Sequence, residues 1–275
     1  MDFYFDQGKV LKAIAKILEK NFTTSTFIVT EFGIFIQENN GDPDTNEPVT
    51  VILEVLLSSQ HFERYLIPKV QSADGSMSTN VEFCLGFSTT DLRTQLDRVS
   101  KTDSVRMYIL DSDRTLLNFD IISNRKENLS TKSIRLKATT LGRVITPSYK
   151  NHNPTAVIKA SAYKKTMTDA NKNSKVCVRV SAQETGFLVE SVGSEIRPFK
   201  DPFGNWVEGS RIIYAEHLST PRLHSFSEIA TSGISKLIQV YAREDGQPLK
   251  ISATAGTMGS ISLYLQSEVS LQGGK

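Results

Sequence analysis

The sequence predicts an α+β protein in which one plan is written twice. Three observations predict it. An amphipathic helical period opens the chain, β-type apolar runs follow it, and the order helix, strands, helix, strands begins again after residue 152.

The opening helix is "GKVLKAIAKILEKN", residues 8–21. Val10, Leu11, Ile14, Ile17 and Leu18 follow the 3.6-residue period, and Asn21 supplies a stop. Lys9, Lys12, Lys16 and Lys20 fill the opposite arc, spaced three, four and four residues apart. Strands follow at "STFIVT" (25–30), "GIFIQE" (33–38), "VTVILEVLLSS" (49–59) and "NVEFCLGFS" (80–88). A second helix is expected over 88–101, capped by its Ser/Thr/Asp cluster, with Leu92, Leu96 and Val99 as its apolar stripe. "SVRMYIL" (104–110) and "RTLLNFDII" (114–122) close this half as strands.

Residues 123–152 are long, polar and without a sustained period, so they read as a linker with a few apolar anchors. The second half then repeats the order. "SAYKKTMTDANKN" (161–173) is a weakly amphipathic helix, and 175–191 holds two strands around a turn. Gly33 in the first hairpin answers to Gly186 in the second, and Leu116 answers to Leu249. Residues 219–233 read as one helix, with Pro221 near its start and Gly233 after its end. "TAGTMGS" (254–260) is a turn between strands. The expected division is therefore 1–122, a connecting loop at 123–152, and 153–275.

The chain has 275 residues, is 39% apolar and 23% charged, and carries a net charge of +2. That composition suits a folded chain with a real core. "MDFYFDQGKV" carries an acid where a secretory signal has basic residues, and no stretch approaches the ~20 apolar residues of a membrane span. A soluble intracellular protein, not secreted, is the expectation. Cys84 and Cys177 each lie in an apolar run and are expected as buried thiols on strands. The sequence contains no HExxH, CxxC, GxSxG, P-loop or GxGxxG pattern. No catalytic residue, metal site or cofactor is expected, and the chain reads as a non-enzyme.

Charge is distributed unevenly. Residues 8–20, 91–101 and 161–172 carry +3, +1 and +2, residues 219–231 carry none, and the remainder of the chain carries −4. Basic side chains on these helices are Lys9, Lys12, Lys16, Lys20, Arg93, Arg98, Lys101, Lys164, Lys165, Lys172 and Arg222. Lysines suit sequence-independent contact with DNA phosphates, because they are flexible point charges that read no base.

A duplicated β-rich unit with two helices per half and a long connection resembles the sliding clamps of the proliferating-cell-nuclear-antigen (PCNA) family. "VTVILEVLLSSQHFERY" (49–65) is similar to that family's long strand with its Phe…Tyr ending. "LGRVITP" (141–147) is similar to the Leu-Gly-Ile-Pro of its connecting loop, and "VYAREDGQPLKISATAGTMGSISLYLQ" (240–266) resembles its closing hairpin and last strand. The resemblance spans nearly the whole chain. It implies a duplicated DNA-clamp fold, with antiparallel sheets outside and two helices per domain inside. It implies a homotrimeric ring that encircles double-stranded DNA without reading sequence, works with a clamp loader, and tethers a DNA polymerase and other replication proteins through short peptides. Those peptides would dock on Val49, Leu141, Val144, Pro248, Tyr264 and Leu265. The subunit seam would pair 114–122 with roughly 194–200 of a neighbour.

Three departures mark a divergent clamp, viral or cellular. Overall charge is near neutral where the family is acidic. The connecting segment carries Lys126, Lys132, Arg135, Lys137 and Arg143. Insertions at 38–48 and 197–209 lengthen two loops, the second bringing Pro198, Pro202, Phe203 and Trp206 to the expected seam. A subunit of a heteromeric checkpoint-type clamp, and a monomeric or dimeric clamp-like factor that holds DNA by charge, remain alternatives.

Overall fold

The first helix forms where its period predicts it, and it is buried more deeply than one stripe requires. In the computed structural model α1 spans Gly8–Asn21. Val10, Leu11, Ile14, Ile17 and Leu18 are buried, and so are Ala13 and Ala15 on the flanks. Only a narrow strip is left to solvent. Asn21 ends the helix by donating its side-chain amide to the Ile17 carbonyl at 2.7 Å.

The structure describes residues 1–41, 49–68, 70–71, 77–78, 81–123, 125, 127–139, 145–149, 152–191, 200–244 and 246–267. The chain is α+β, with antiparallel sheets, and separates into two units. The first comprises Met1–Glu38, Glu54–Arg143 and Ala255–Ser260. The second comprises Asn39–Leu53, Val144–Thr254 and Ile261–Lys275.

In the first unit β1 (Asp2–Phe5) precedes α1, and β2 (Thr24–Thr30), β3 (Gly33–Asn39) and β4 (Val51–Ser58) follow it. Then come β5 (Arg64–Leu66), the short β6 (Val70–Gln71) and β7 (Met77–Ser78), and β8 (Phe83–Ser88). Helix α2 (Thr89–Leu96) leads to β9 (Ser104–Leu110), β10 (Asp113–Ile122) and β11 (Asn128–Arg135). One sheet has the order β11-β10-β9-β1-β5, and β8, β2, β3 and β4 are successive neighbours in another. Phe3 and Phe5 of β1 and Phe27 and Phe87 of the β2·β8 pair are fully buried, the last two rings 4.4 Å apart.

In the second unit β12 (Ala156–Lys159) runs into α3 (Ala160–Asn173), followed by β13 (Cys177–Ala182), β14 (Gly186–Ser191), β15 (Lys200–Gly204) and β16 (Tyr214–Ser219). Short helices α4 (Thr220–Ser225) and α5 (Glu228–Thr231) lead to β17 (Leu237–Tyr241), β18 (Leu249–Thr254) and β19 (Gly259–Leu265). Here the sheet orders are β15-β14-β13-β16 and β12-β17-β18-β19. Tyr163 of α3 is fully buried and donates its hydroxyl to the Leu223 carbonyl of α4 at 2.8 Å. Burial holds that phenol neutral by pushing its pKa upward.

Gly33 and Gly186, matched in the sequence, each open the second strand of a hairpin. A Cβ on Gly33 would lie 2.0 Å from the Leu57 carbonyl oxygen, and one on Gly186 would lie 2.7 Å from the Trp206 Cα. In each unit the backbone of a further segment packs where the side chain is missing.

Several expectations need correction. The helix expected over 88–101 stops at Leu96, where Val99 N–H turns back to the Leu96 carbonyl, although Ser88 Oγ caps its start as expected. The single helix expected over 219–233 breaks at Phe226–Ser227, because Phe226 is drawn fully into the core and its N–H bonds three residues back. Asn128–Arg135, read as linker, is a strand that pairs with β10 from Leu116↔Arg135 to Ile122↔Asn128. Strand 114–122 therefore has neighbours on both sides, and β11 is the edge of its sheet. Of 194–200 only Lys200, at the start of β15, lies among the described residues. Both cysteines stand on strands, but neither is buried: Cys177 is half-buried, and Cys84 is exposed, since Leu85 and Phe87 take the inward positions of β8.

Tyr163→Phe keeps the buried ring and removes only its hydrogen bond. The substitution should lower unfolding free energy by about 1–2 kcal/mol, read by urea denaturation. An unchanged midpoint would show that the bond is energetically idle.

Candidate nucleic-acid interface and partner pocket

The four lysines of α1 do different jobs. Lys12 donates its ammonium to the carbonyls of Asp97 and Val99, at 2.5 and 2.9 Å. These carbonyls lie just past the C-terminus of α2, where the helix leaves acceptors unsatisfied and the macrodipole is negative. Arg93 of α2 reaches back the other way, to Glu19 of α1 at 3.1 Å, with Asp97 at 3.9 Å. Two of the basic side chains expected to face DNA thus tie α1 to α2. Lys9, Lys16 and Lys20 stay on the solvent strip of α1, Lys20 the most exposed.

Arg98 and Lys101 are exposed, but on the turn after α2 rather than on the helix. That turn is held by the Ser100 N–H, which donates to the carboxylate of buried Asp103 at 2.8 Å. On α3, Lys164, Lys165 and Lys172 are exposed, opposite the buried Tyr163, Met167 and Ala170. Arg222 of α4 differs from these: it is half-buried and lines a cavity of about 270 Å³.

The residues expected to receive partner peptides meet a cluster that the sequence did not disclose. Ile52, Tyr149 and Tyr264 form a buried core, with Val49 and Tyr241 packed against it. Tyr149 sits centrally, 5.9 Å from the ring of Tyr241 and 6.3 Å from that of Tyr264, and donates its hydroxyl to the Pro248 carbonyl. Lys250 Nζ lies 5.5–5.6 Å from the centroids of all three tyrosines, and the Arg243 guanidinium carbon lies 5.7 Å from Tyr149. These are cation–π distances. Val49, Pro248 and Tyr264 are brought together, through Tyr149. Leu265, the next residue on β19, is buried and lines the Arg222 cavity. Leu141 and Val144 lie outside the described residues.

Tyr149, Tyr241, Arg243 and Lys250 are the site residues that sequence reading missed. The one available signal was an aromatic ring, Tyr149, inside an otherwise polar stretch. Among the described residues, no helix is long and apolar enough to cross a membrane.

Lys12→Ala should destabilise the chain by about 1 kcal/mol or more, since it strands two carbonyls at a helix end. Lys164→Ala, on an exposed side chain of α3, should stay within about 0.5 kcal/mol of the parent in the same denaturation assay. Equal effects would remove the distinction between a helix tie and a solvent-facing lysine. No protein-family model matches the chain, and no curated protein matches it.

Proposed function

We propose that the chain is a DNA sliding clamp: a ring-forming processivity factor that encircles duplex DNA and tethers a polymerase. The observation that carries this reading is the repetition of one set of strand pairings in both units. β1·β9 corresponds to β12·β17, β9·β10 to β17·β18, β2·β3 to β13·β14, and β2·β8 to β13·β16, all antiparallel. The helices fall at matching points. α1 follows β1 as α3 follows β12, and α2 links β8 to β9 as α4 and α5 link β16 to β17. Shared pairings and shared helix positions support a duplicated clamp fold although the halves differ in sequence.

Two further features support the ring. Among the described residues β11 and β15 are each the last strand of their sheets, an edge whose backbone groups another chain can pair with. Pairing β11 of one copy with β15 of the next is a head-to-tail contact, the kind that closes a cyclic trimer. On the helices, the half-buried Lys9 and Lys16 and exposed Lys20 of α1 and the exposed lysines of α3 offer charge without base recognition. With Lys12 and Arg93 engaged within the chain, direct phosphate affinity is modest. Retention would then come from topology, which suits sliding.

The assembly test is light scattering on the purified chain. The expected result is a particle of three times the 30.6 kDa chain mass. On DNA, loaded protein should persist on circular duplex and run off the same duplex once linearised. Replacing Lys9, Lys16 and Lys20 by alanine should lower loading and reduce the slope of log K against log salt by about 2–3. A strict monomer that binds linear DNA with a steep salt slope would replace this reading with an open clamp. A monomer that assembles only with a different chain would indicate a heteromeric clamp.

A further inference from the structure

We propose that the cleft at the start of α3 grips the phosphodiester backbone of a DNA strand, an inference that rests on the DNA-contact reading above and adds a site to it. The cleft measures about 530 Å³ and lies wholly within the second unit. Lys159, Ala160 and Ser161 line it from the end of β12 and the first turn of α3, Ala230 from α5, and Lys236 and Leu237 from the start of β17.

Charge selects the occupant. Among the described residues that line the cleft, none is acidic. Lys159 and Lys236 are both exposed, and among the described residues neither ammonium has an ion pair or hydrogen bond. Lys12 differs, since two carbonyls hold its ammonium. Ser161 adds an exposed hydroxyl, and the exposed Lys164 and Lys165 follow it at three- and four-residue spacing. Side chains at that spacing share a helix face, so positive charge continues along α3 from the cleft. Ammoniums and a hydroxyl contact phosphate without reading a base.

Shape restricts the occupant further. Lys159, Ser161, Lys236 and Leu237 are all exposed, so the cleft is open along its rim. An open rim lets a strand pass through and does not enclose a free anion. Leu237, half exposed, with Ala160 and Ala230 gives an apolar wall on which a sugar can rest while its phosphate meets the ammoniums.

The matching joint of the first unit shows how little of this the fold requires. There the first N–H of α1, on Gly8, donates to the carbonyl of Asp103, the residue before β9, at 3.0 Å. In the second unit the Ala160 N–H donates to the carbonyl of Lys236, the residue before β17, at 2.9 Å. The backbone joint is the same, but in the first unit it is filled and acidic. A Cβ on Gly8 would lie 2.7 Å from the Asp103 carbonyl oxygen and 2.9 Å from Val99 Cγ1. Asp103 is buried, with its carboxylate on the Ser100 N–H, and exposed Asp6 stands just before the helix. One backbone bond therefore suffices to join helix to strand. The two lysines and the open cleft of the second unit are additional to that task. Because the Ala160 N–H is already engaged, the site is the lysine pair rather than the helix end.

The test uses the full chain and a fluorescein-labelled linear duplex of about 30 base pairs, read by fluorescence anisotropy across a salt series. Replacing Lys159 and Lys236 together by alanine should lower affinity about tenfold at about 50 mM salt and reduce the slope of log K against log salt by about 2. Lys159→Arg with Lys236→Arg should keep affinity and slope at the parent values, because phosphate needs only the charges. Both side chains are exposed, so the urea midpoint should not move. Unchanged affinity and slope in the alanine variant would overturn this inference and leave the other lysines of α1 and α3 as the DNA contacts. A loss that arginine fails to restore would assign the pair a structural role and overturn it as well. Pyrophosphate tests a free source of the same chemistry. Titration calorimetry should show no binding tighter than about 1 mM, and micromolar binding would replace the strand with a small anion. A parent chain that binds no duplex at any salt concentration would overturn the DNA reading and this inference together, while the assembly result would stand on its own.

Discussion

The first unit depends on the burial of α1. Eight of its fourteen residues are out of solvent, a wider face than one helical stripe. Removing side chains the size of Ile14 or Leu18 from such a position costs about 2–5 kcal/mol each, comparable with the whole net stability of many domains. This burial decides where charge can go. Lysines at three- and four-residue spacing have only one strip left, and Lys12 is drawn onto the carbonyls that follow α2. The hydrophobic constraint sorts the cations into structural and solvent-facing sets.

The second unit reaches the same end by other means. α3 has a weaker apolar stripe than α1, and its anchor is a single large ring, Tyr163, with a hydroxyl bond to α4. A tyrosine in this place brings apolar area and also satisfies a backbone acceptor in the core. α4 and α5 are short and broken, so their packing rests on inserted Leu223, Phe226 and Ile229 rather than on length.

Much of this was legible in the residues, for reasons that also explain what was not. α1, α3 and the strands β3, β4, β9 and β10 announce themselves because one face is buried and the period survives in the apolar pattern, and β2 does so by its Phe27–Val29 run, buried on both faces. β11 does not, since "NLSTKSIR" is an edge strand whose only buried side chain among those described is Ile134. Strands β1, β5, β12 and β15 are too short for a period to show. The split between α4 and α5 was hidden because Phe226 satisfies a helical pattern equally well in a continuous helix. At the candidate site, residue type marked α1 as basic but could not show that Lys12 is engaged by the carbonyls after α2. That engagement depends on where α2 ends, which is a tertiary fact. Lys250 was invisible because its setting is three rings from distant parts of the sequence.

The composition of β11 has a consequence for how copies of this chain recognise themselves. It carries hydroxyls at Ser130, Thr131 and Ser133 and cations at Lys132 and Arg135. Two such edges laid antiparallel would bring like charges toward one another, which disfavours a pair of identical edges. A short, differently charged edge carries no such penalty. The strand thus stays open to another chain yet resists its own twin. That discrimination works against back-to-back pairing and sheet-by-sheet stacking, the two routes by which an exposed edge becomes an aggregate.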